Sequence, residues 1–288
     1  MEPAGKRYIL HGSRTDWISI YNFADLHLFN RGCARKRLER DLDALKNDPL
    51  AFWVGGGDYT EAISVSDKRW DADAVSEDLQ ISDLSRLGRV QTEAVAKLFE
   101  PVRHKCLGLL LGNHEKVYQK VKEQGDLHGW LCTHLDVPNL GYSAIFDVVF
   151  VRMPRLKTPR LVWQAPDKNA RSQTRTVRIM AHHGSGYATT PGGKLNKLIQ
   201  FMQNFDADLF YCAHVHDQKA QRLVRIGANA DCTELVEQQR LGLITGSYLR
   251  TYAKGVTTYG EQKGYAPVPL GASCVRIKPD TGEMKSEI

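Results

Sequence analysis

Carboxylate and imidazole side chains follow the ends of apolar stretches in this sequence, at spacings that suit metal binding. Asp25 and His27 come directly after one such stretch, and His214 and His216 come directly after another. Residues two apart in an extended segment point to the same side of the chain, so each pair could hold one cation together. The two pairs therefore predict a metal site with carboxylate oxygen and imidazole nitrogen ligands.

Three further apolar stretches end in side chains that could complete this site. Asp58 follows a run of glycines and offers two carboxylate oxygens, so it could bridge two cations. Asn113 supplies a neutral amide oxygen, and His182 and His183 are alternative imidazole ligands after a later stretch. A set of Asp, Asn and His ligands without thiolate predicts two divalent metal ions, with Mn favoured and Fe, Zn, Ni or Co as alternatives.

The elements that position these residues are predicted to alternate between strands and helices. The first hundred residues follow a strand–helix–strand–helix–strand order, and one further helix lies near 195–205. Such alternation indicates a mostly parallel sheet, in which ligands bind outside the carboxyl ends of the strands. We predict a single α/β domain, two-layered or sandwich-like. The predicted strands are 17–23, 51–54, 106–111, 144–152, 161–164, 177–181, 209–213 and 241–245.

The composition is that of an ordinary globular protein. Of 288 residues, 42% are hydrophobic and 25% are charged, with a net charge of +6, which excludes collagen-like, low-complexity and disordered classes. No apolar stretch approaches the roughly 18 residues of a membrane helix, and no signal peptide is recognisable. Six cysteines without C-x-x-C spacing indicate neither a disulfide framework nor a cysteine zinc site. We expect a reduced, cytoplasmic protein without a membrane partner.

Four histidines receive no role in the predicted site. Asp126-Leu127-His128 repeats the tripeptide of residues 25–27, but it follows a polar segment, so we interpret it as a solvated turn or a helix start. His104 and His134 are interpreted as surface residues, and His11 lies in the N-terminal region with no partner nearby in sequence.

In chain order, these motifs resemble those of the calcineurin-like metallophosphoesterase superfamily. That family has the pattern D-x-H, G-D, G-N-H-[DE], H and [GA]-H-x-H, which is matched here between residues 25 and 216. The sequence departs from the commoner residues at Ala213, where glycine is more frequent, and at Tyr59, where small residues are frequent. The resemblance implies a calcineurin-like α/β fold, in which helices flank a central β-sandwich of mixed sheets.

The resemblance also implies a role for each motif residue. Of the two adjacent histidines, the usual family position favours His182 over His183. His114 would be catalytic, as a general acid or a stabiliser of the transition state, and Glu115 would orient it by a hydrogen bond. The implied ligands are Asp25, His27 and His216 for the first metal, Asn113, His182 and His214 for the second, and Asp58 as the bridge.

A metal-dependent hydrolase of phosphoesters is the expected function, with a hydroxide between the two cations as the nucleophile. We favour a phosphodiesterase that acts on nucleic acid or a nucleotide. A phosphomonoesterase acting on a small molecule or phosphoprotein is the alternative, although residues 57–62 lack the G-D-x-x-D-R-G motif usual in protein phosphatases. A metallo-β-lactamase type is disfavoured because Gln218 stands where its motif needs histidine, and a vestigial nucleic-acid-binding protein because the ligand set is complete.

Two segments bear on the substrate. Between 152 and 178, eight basic residues accompany a single acid, which predicts either a hairpin beside the site that binds DNA or RNA, or a solvated hairpin. Residues 246–270 are rich in Tyr and Gly and are predicted either to stack on bases over the site or to form an irregular cap. We divide the chain into a tail (1–15), a core with the metal motifs (16–245) and a Tyr/Gly-rich C-terminal cap (246–288).

Overall fold

The computed structural model of the chain describes residues 1–122, 125–167, 173–186 and 188–288. Two β-sheets pack face to face, and helices cover their outer faces. The strands are β1 (Glu2–His11), β2 (Ile18–Phe23), β3 (Ala51–Gly55), β4 (Cys106–Leu109), β5 (Ser143–Arg152), β6 (Arg160–Val162), β7 (Gln173–His182), β8 (Leu209–Cys212), β9 (Gln218–Ala228), β10 (Leu235–Thr245), β11 (Ser273–Ile277) and β12 (Met284–Glu287). The α-helices are α1 (Arg35–Asn47), α2 (Leu87–Phe99), α3 (Asn113–Lys122), α4 (Leu127–Leu135), α5 (Pro191–Asn204) and α6 (Tyr259–Gln262).

Both sheets contain a parallel block of strands. The first sheet has the order β6-β1-β5-β7-β8-β10-β9, and β7, β8 and β10 run parallel. The second has the order β12-β11-β2-β3-β4, and β2, β3 and β4 run parallel. This arrangement is the predicted sandwich of mixed sheets flanked by helices, so the predicted fold class is confirmed.

The central strands are apolar on both faces because both faces are covered. In β2 and β3, Ile20 and Val54 point into the core between the sheets. The alternate residues Phe23 and Trp53 point outward, against helices α1, α2 and α4. Strands buried on both faces are nearly continuous apolar runs, which explains why these two were readable from the sequence.

Helix α1 shows how the covering layer is anchored. Leu38, Leu42 and Leu45 recur at helical spacing, are all buried, and pack on the outer face of the second sheet. The helix ends at Asn47, directly before Asp48-Pro49, as the sequence predicted. On the other side of the molecule, α5 covers the outer face of the first sheet through Leu198 and Met202.

Two terminal segments differ from their predictions. The predicted N-terminal tail contains β1, which lies between β5 and β6 in the first sheet. The strand was not predicted because Arg7, which is only 1% exposed, interrupts its apolar pattern. Its guanidinium lies over the Phe146 ring and donates to the Leu107 carbonyl at 3.0 Å. The predicted C-terminal cap contains β11 and β12, and β11 is paired with β2 inside the second sheet.

All six cysteines are free, and four of them are buried. Buried free cysteines behave as small apolar side chains. Among the described residues, none of the helices combines the length and the apolar character needed to cross a membrane.

Candidate metal centre

The predicted site residues converge where the parallel strands of both sheets end. Asp25 and His27 follow β2, and Asp58 follows β3. Asn113 opens α3 shortly after β4, and His214 comes two residues after the end of β8. The carboxyl ends of parallel strands lie at one edge of a sheet, so one crevice collects the side chains that follow these four strands.

The backbone at these positions adopts an uncommon conformation. The φ angles of Asp25, His27 and Asp58 are 51°, 47° and 52°, and those of His214 and His216 are 70° and 45°. Positive φ is unfavourable for residues other than glycine and clusters at functional sites. Asp25 and His27 are therefore brought into one donor cluster by backbone in the left-handed region, and the extended geometry that we predicted for both pairs is wrong.

Hydrogen bonds between the two strand ends hold this turn. The amide of Asp25 donates to the Gly57 carbonyl at 3.0 Å, and the amide of Leu26 donates to the Asp58 carbonyl at 2.8 Å. Gly57 has a φ of 91°, and a Cβ there would lie 2.7 Å from the backbone of Gly112. Glycine at this position lets the β3 and β4 strand ends approach closely.

A first cluster of donor atoms contains Asp25, His27 and His216, and their ligand atoms all lie within 4.8 Å of one another. The Nε2 atoms of His27 and His216 are 3.3 Å apart, and His216 Nε2 is 3.5 Å from Asp25 Oδ1. Asp25 is completely buried, and its Oδ1 atom has no hydrogen-bond partner among the described residues. A buried carboxylate oxygen without a partner is costly, and a bound cation would satisfy it.

A second cluster contains Asp58, His183 and His214, again with ligand atoms within 4.8 Å of one another. Asn113 Oδ1 lies 2.9 Å from His183 Nε2, and His183 Nε2 lies 3.3 Å from Asp58 Oδ2. The same amide position is 2.7 Å from His214 Nδ1 and 3.1 Å from Asp58 Oδ2. Exchanging the oxygen and nitrogen of the Asn113 amide would turn these contacts into hydrogen bonds. With the amide oriented as shown, a cation held by Asn113 Oδ1, Asp58 Oδ2 and the two histidine nitrogens would satisfy all four atoms.

Asp58 lies between the two clusters. Its carboxylate belongs to the second cluster, and it also forms a group with His27 and His114. Its Oδ1 atom accepts a hydrogen bond from the His114 amide at 2.9 Å. Asp58 is therefore placed where one carboxylate could contact two cations.

A comparison with known protein families identifies the family of this chain. The profile of the calcineurin-like phosphoesterase family matches residues 18–218, which is more than half of the sequence. The chain belongs to this family. The matched region contains all the clustered residues described above.

The other two comparisons do not identify the chain further. No curated protein matches the sequence. One matching solved structure is the NAD nucleotidase of Haemophilus influenzae, with 10% sequence identity and a TM-score of 0.39. That match covers 95% of this phosphoesterase-family chain and 49% of the nucleotidase, so this chain spans about half of the nucleotidase length.

The structure contradicts our prediction that His182 belongs to the second cluster. Its Nδ1 atom accepts a hydrogen bond from the Gly184 amide at 2.7 Å, and its ring lies 4.6 Å from that of Phe201 on α5. His183 occupies the cluster instead, completely buried beside Asp58. Side chains alternate between the two faces of β7. Met180 and His182 therefore face α5, whereas Ala181 and His183 face the side of the core between the sheets.

The hydrogen-bond partners of two histidines determine which ring nitrogen faces the clusters. His183 Nδ1 lies 2.7 Å from the Gly56 carbonyl, and His27 Nδ1 lies 2.9 Å from Glu61 Oε2. Both partners are acceptors, so each Nδ1 carries a proton and each Nε2 faces the cluster, where its lone pair could ligate a cation that displaces any proton there. This is the tautomer that metal ligation requires.

Glu61 is a residue of the candidate centre that our sequence analysis missed. Its carboxylate orients His27, and its backbone carbonyl contacts Nδ1 of His114. An acid three positions after Asp58 was visible in the sequence, where we compared that segment only with a protein-phosphatase motif.

Our expectation that Glu115 orients His114 by a hydrogen bond is wrong. The Glu115 carboxylate accepts from the backbone amides of Asp58, Tyr59 and Thr60, at 3.2, 2.7 and 3.0 Å. Glu115 thereby holds the loop that carries Asp58. His114 is oriented by Glu61, and its ring packs edge to face on His27 with centroids 4.7 Å apart.

Burial and charge act in opposite directions at this site. Burial favours the protonated form of Asp58, but the charges of His183 and His114 and a hydrogen bond from His183 hold its pKa well below the usual value. Burial favours the protonated form of Asp25, but the charge of His216 lowers its pKa. Burial would lower the pKa of His183, but Asp58 and Asp25 raise it to about 9. The buried carboxylates thus require positive charge beside them, which divalent cations supply.

The described part of the basic segment 152–178 leads away from the metal centre along β5 and β7. Strands β5 and β7 form its predicted hairpin, but Ser143 and His182 pair at the end near the centre, whereas Arg152 and Gln173 pair at the other end. Nine residue steps along a strand span about 30 Å. The eight basic residues are Arg152, Arg155, Lys157, Arg160, Arg175 and Arg178, together with Lys168 and Arg171, which lie outside the described residues.

The start of the Tyr/Gly-rich segment supports the centre from behind. The Tyr248 amide and the Ser247 hydroxyl both donate to the Asp25 carbonyl, at 2.9 and 3.1 Å. The Tyr248 ring is completely buried and stacks on Phe23. This tyrosine is therefore a core residue rather than a surface for stacking bases.

Proposed function

We propose that this chain hydrolyses phosphoesters at a centre that holds two divalent metal ions. Asp25, His27 and His216 would hold one ion, and Asn113, His183 and His214 would hold the other, with Asp58 bridging them. The observation that carries the proposal is the position of Asp58 between two donor clusters, one of which contains the unpartnered, buried Asp25 Oδ1.

The donor set suits this assignment. Asp58 and Asp25 bring two negative charges, which two divalent cations exceed, so an anionic phosphoester would be attracted. Imidazole, carboxylate and amide ligands without thiolate suit manganese, with Fe, Zn, Ni or Co as alternatives. When bound, such ions polarise the phosphoryl oxygens and lower the pKa of water.

The side chains around the ions would position and protonate the substrate. Nδ1 of His114 faces the Glu61 carbonyl, so this nitrogen carries a proton and Nε2 is left to face the substrate. Burial would lower the pKa of His114, but the charges of Asp58 and Glu61 raise it. A protonated Nε2 would stabilise negative charge on the phosphate and donate a proton to the leaving oxygen.

We retain the phosphodiesterase assignment, with a nucleotide or nucleic acid as substrate. The described residues of the basic hairpin lead away from the centre, which removes one argument for a long nucleic-acid substrate. A nucleotide is therefore the better of the two substrates. The cytoplasmic location stays a prediction.

A panel of metals and substrates tests the proposal. The chelator-treated protein is loaded with Mn, Ni, Zn, Co, Fe or Mg and assayed against aryl phosphomonoesters, aryl phosphodiesters, nucleotides and DNA. We expect two bound ions per chain and the fastest hydrolysis with a diester. Hydrolysis of monoesters alone would contradict the diester preference, and hydrolysis of none of the substrates with any metal would contradict the proposed function.

A further inference from the structure

The ring of His216 is the least enclosed part of the first cluster. Its side chain is 28% exposed, whereas the side chains of Asp25 and His27 are 0% and 3% exposed. The contacts that the structure describes for this ring are with Asp25 and His27, which belong to the same cluster. His27, by contrast, is also held from outside the cluster, by Glu61. The position of the His216 ring therefore depends largely on how its backbone is held.

A buried lysine attaches this backbone to helix α5. Lys194 lies in the first turn of α5, and its ammonium donates to the His216 carbonyl at 3.1 Å. The lysine is only 9% exposed, and a buried charge is costly unless it is paired and hydrogen-bonded. The preceding residue, Val215, belongs to the same apolar cluster as Leu198 of α5. Helix α5 thus holds two successive residues of the turn that follows β8.

The carboxylate of Asp217 balances the charge of this lysine. Asp217 is 6% exposed, and its Oδ2 atom lies 3.7 Å from the Lys194 ammonium and 3.4 Å from that of Lys219. The side chain of Lys219 is 30% exposed, so Lys194 is the more deeply buried of the two cations. Removing one partner of a buried ion pair leaves an uncompensated charge, so the pair constrains where both side chains lie.

The same contacts extend to Asp25 through the end of β10. The Asp217 carbonyl accepts a hydrogen bond from the Gly246 amide at 2.8 Å. The next two residues, Ser247 and Tyr248, both donate to the Asp25 carbonyl. One connected set of hydrogen bonds therefore holds the backbone at two of the three members of the first cluster.

We propose that Lys194 is a positioning residue for the metal ion of the first cluster. Its contacts with the His216 carbonyl and the Asp217 carboxylate keep the His216 ring directed at the other two ligands. This inference rests on the proposed function, because it takes the first cluster to hold an ion. It predicts a selective effect: loss of Lys194 weakens binding of the first ion and leaves binding at the second cluster unchanged.

Metal titration of variants at two buried lysines tests the inference. Lys105 is the matched control, because it is 8% exposed, donates to the Leu45 and Asp48 carbonyls at 2.7 Å, and precedes β4 at the end away from the centre. Calorimetry measures manganese binding to chelator-treated wild type, Lys194→Met and Lys105→Met. Lys194→Met should bind one of two ions about 10- to 100-fold more weakly, and Lys105→Met should bind both as the wild type does. Unchanged affinities or equal weakening of both ions in Lys194→Met, or the same loss in Lys105→Met, would overturn the inference.

A second variant and the hydrolysis assay separate the possible failures. Asp217→Asn keeps the size of the side chain but removes the charge that faces Lys194, so it should weaken the same ion by a smaller factor. If Lys194→Met does not fold, Asp217→Asn decides the inference, and unchanged affinities in it would overturn it. If the metal-loaded wild type hydrolyses no phosphoester, the proposed function fails, and the titrations still decide the role of Lys194. A wild type that binds no metal ion would overturn both.

Discussion

The tripeptide Asp-Leu-His occurs twice in this chain, and its two copies have different structures. Residues 25–27 follow the buried strand β2, with both polar residues at positive φ in the metal centre. Residues 126–128 begin helix α4, where Asp126 is the N-cap and accepts a hydrogen bond from the Gly129 amide at 2.8 Å. The predicted helix start at the second copy is confirmed.

The two histidines also differ in what surrounds them. His27 faces carboxylates and imidazoles, whereas His128 is buried beside Tyr59 and Cys132, with Nε2 3.1 Å from Asn139 Oδ1. Burial lowers the pKa of His128 to about 4. His128 is thus a neutral core residue, and the solvated position that we also considered for this segment is wrong. The preceding element determines whether this tripeptide can bind a metal.

Removing the carboxylate from each copy of the tripeptide in turn should give the largest difference in metal content and hydrolysis between the two copies. Asp25→Asn removes a buried charge from the first cluster, so we expect loss of metal and undetectable hydrolysis of an aryl phosphodiester. Asp126→Asn keeps a good N-cap residue and should change neither property. Metal content and turnover are measured on variants whose melting temperatures match the wild type. Full activity in Asp25→Asn would contradict its role as a ligand.

The next effect concerns a histidine that contacts His27 but is not proposed as a ligand. His114→Ala should leave two metal ions bound and raise the activation barrier by about 2–4 kcal/mol. The exposed His134 supplies the control, because His134→Ala should have wild-type kcat. Loss of metal from His114→Ala would instead assign His114 to the ligand set.

His128 should make stability depend on pH. The pKa of His128 is about 4 in the folded chain and about 6.5 when unfolded, so only the unfolded state binds the proton between these values. Stability is present above pH 6.5 and is lost as the pH falls towards 4, by about 3 kcal/mol. Urea unfolding of the wild type and His128→Gln at pH 7 and pH 4.5 measures this difference. Identical pH dependence in both proteins would contradict the prediction.

Glu61 should affect metal binding at residues 25–27 through its contact with His27. Glu61→Ala removes the acceptor that fixes the His27 ring, and we expect metal affinity to fall by about 10- to 100-fold. Glu61→Gln keeps an oxygen acceptor without the charge and should lose less. Metal titrations of the two variants distinguish orientation from charge, and unchanged affinity in both would remove Glu61 from the centre.

The smallest expected effect is at the second copy. Asp126→Ala removes the side chain that caps α4, so the free energy of unfolding should fall by about 1 kcal/mol while hydrolysis is unchanged. Denaturant unfolding measures the loss, with Asp126→Asn as the control that retains a cap. A loss of hydrolysis in Asp126→Ala would mean that the second copy also serves the centre.

Much of the fold was predictable because burial on both faces leaves a strong pattern. Strands β2, β3 and β8 lie within one or two residues of their predicted bounds, and α1 and α5 lie where apolar residues recur at helical spacing. Strand β1 was not predicted, because the buried Arg7, which lies over Phe146, interrupts its apolar pattern. Pairing with a distant segment decides whether such a strand forms, and the local pattern does not contain that information.

The sequence by itself determined which residue types stand at the strand ends, and hence the family and the donor chemistry of the centre. Only the tertiary structure put His183 rather than His182 in the second cluster, paired Glu61 with His27, and directed the described part of the basic hairpin away from the site. Neighbouring residues on a strand point to opposite faces, and both faces of β7 are apolar near its end. Which face meets the metal centre therefore depends on the pairing of β7 with β5 and β8, and on packing against α5.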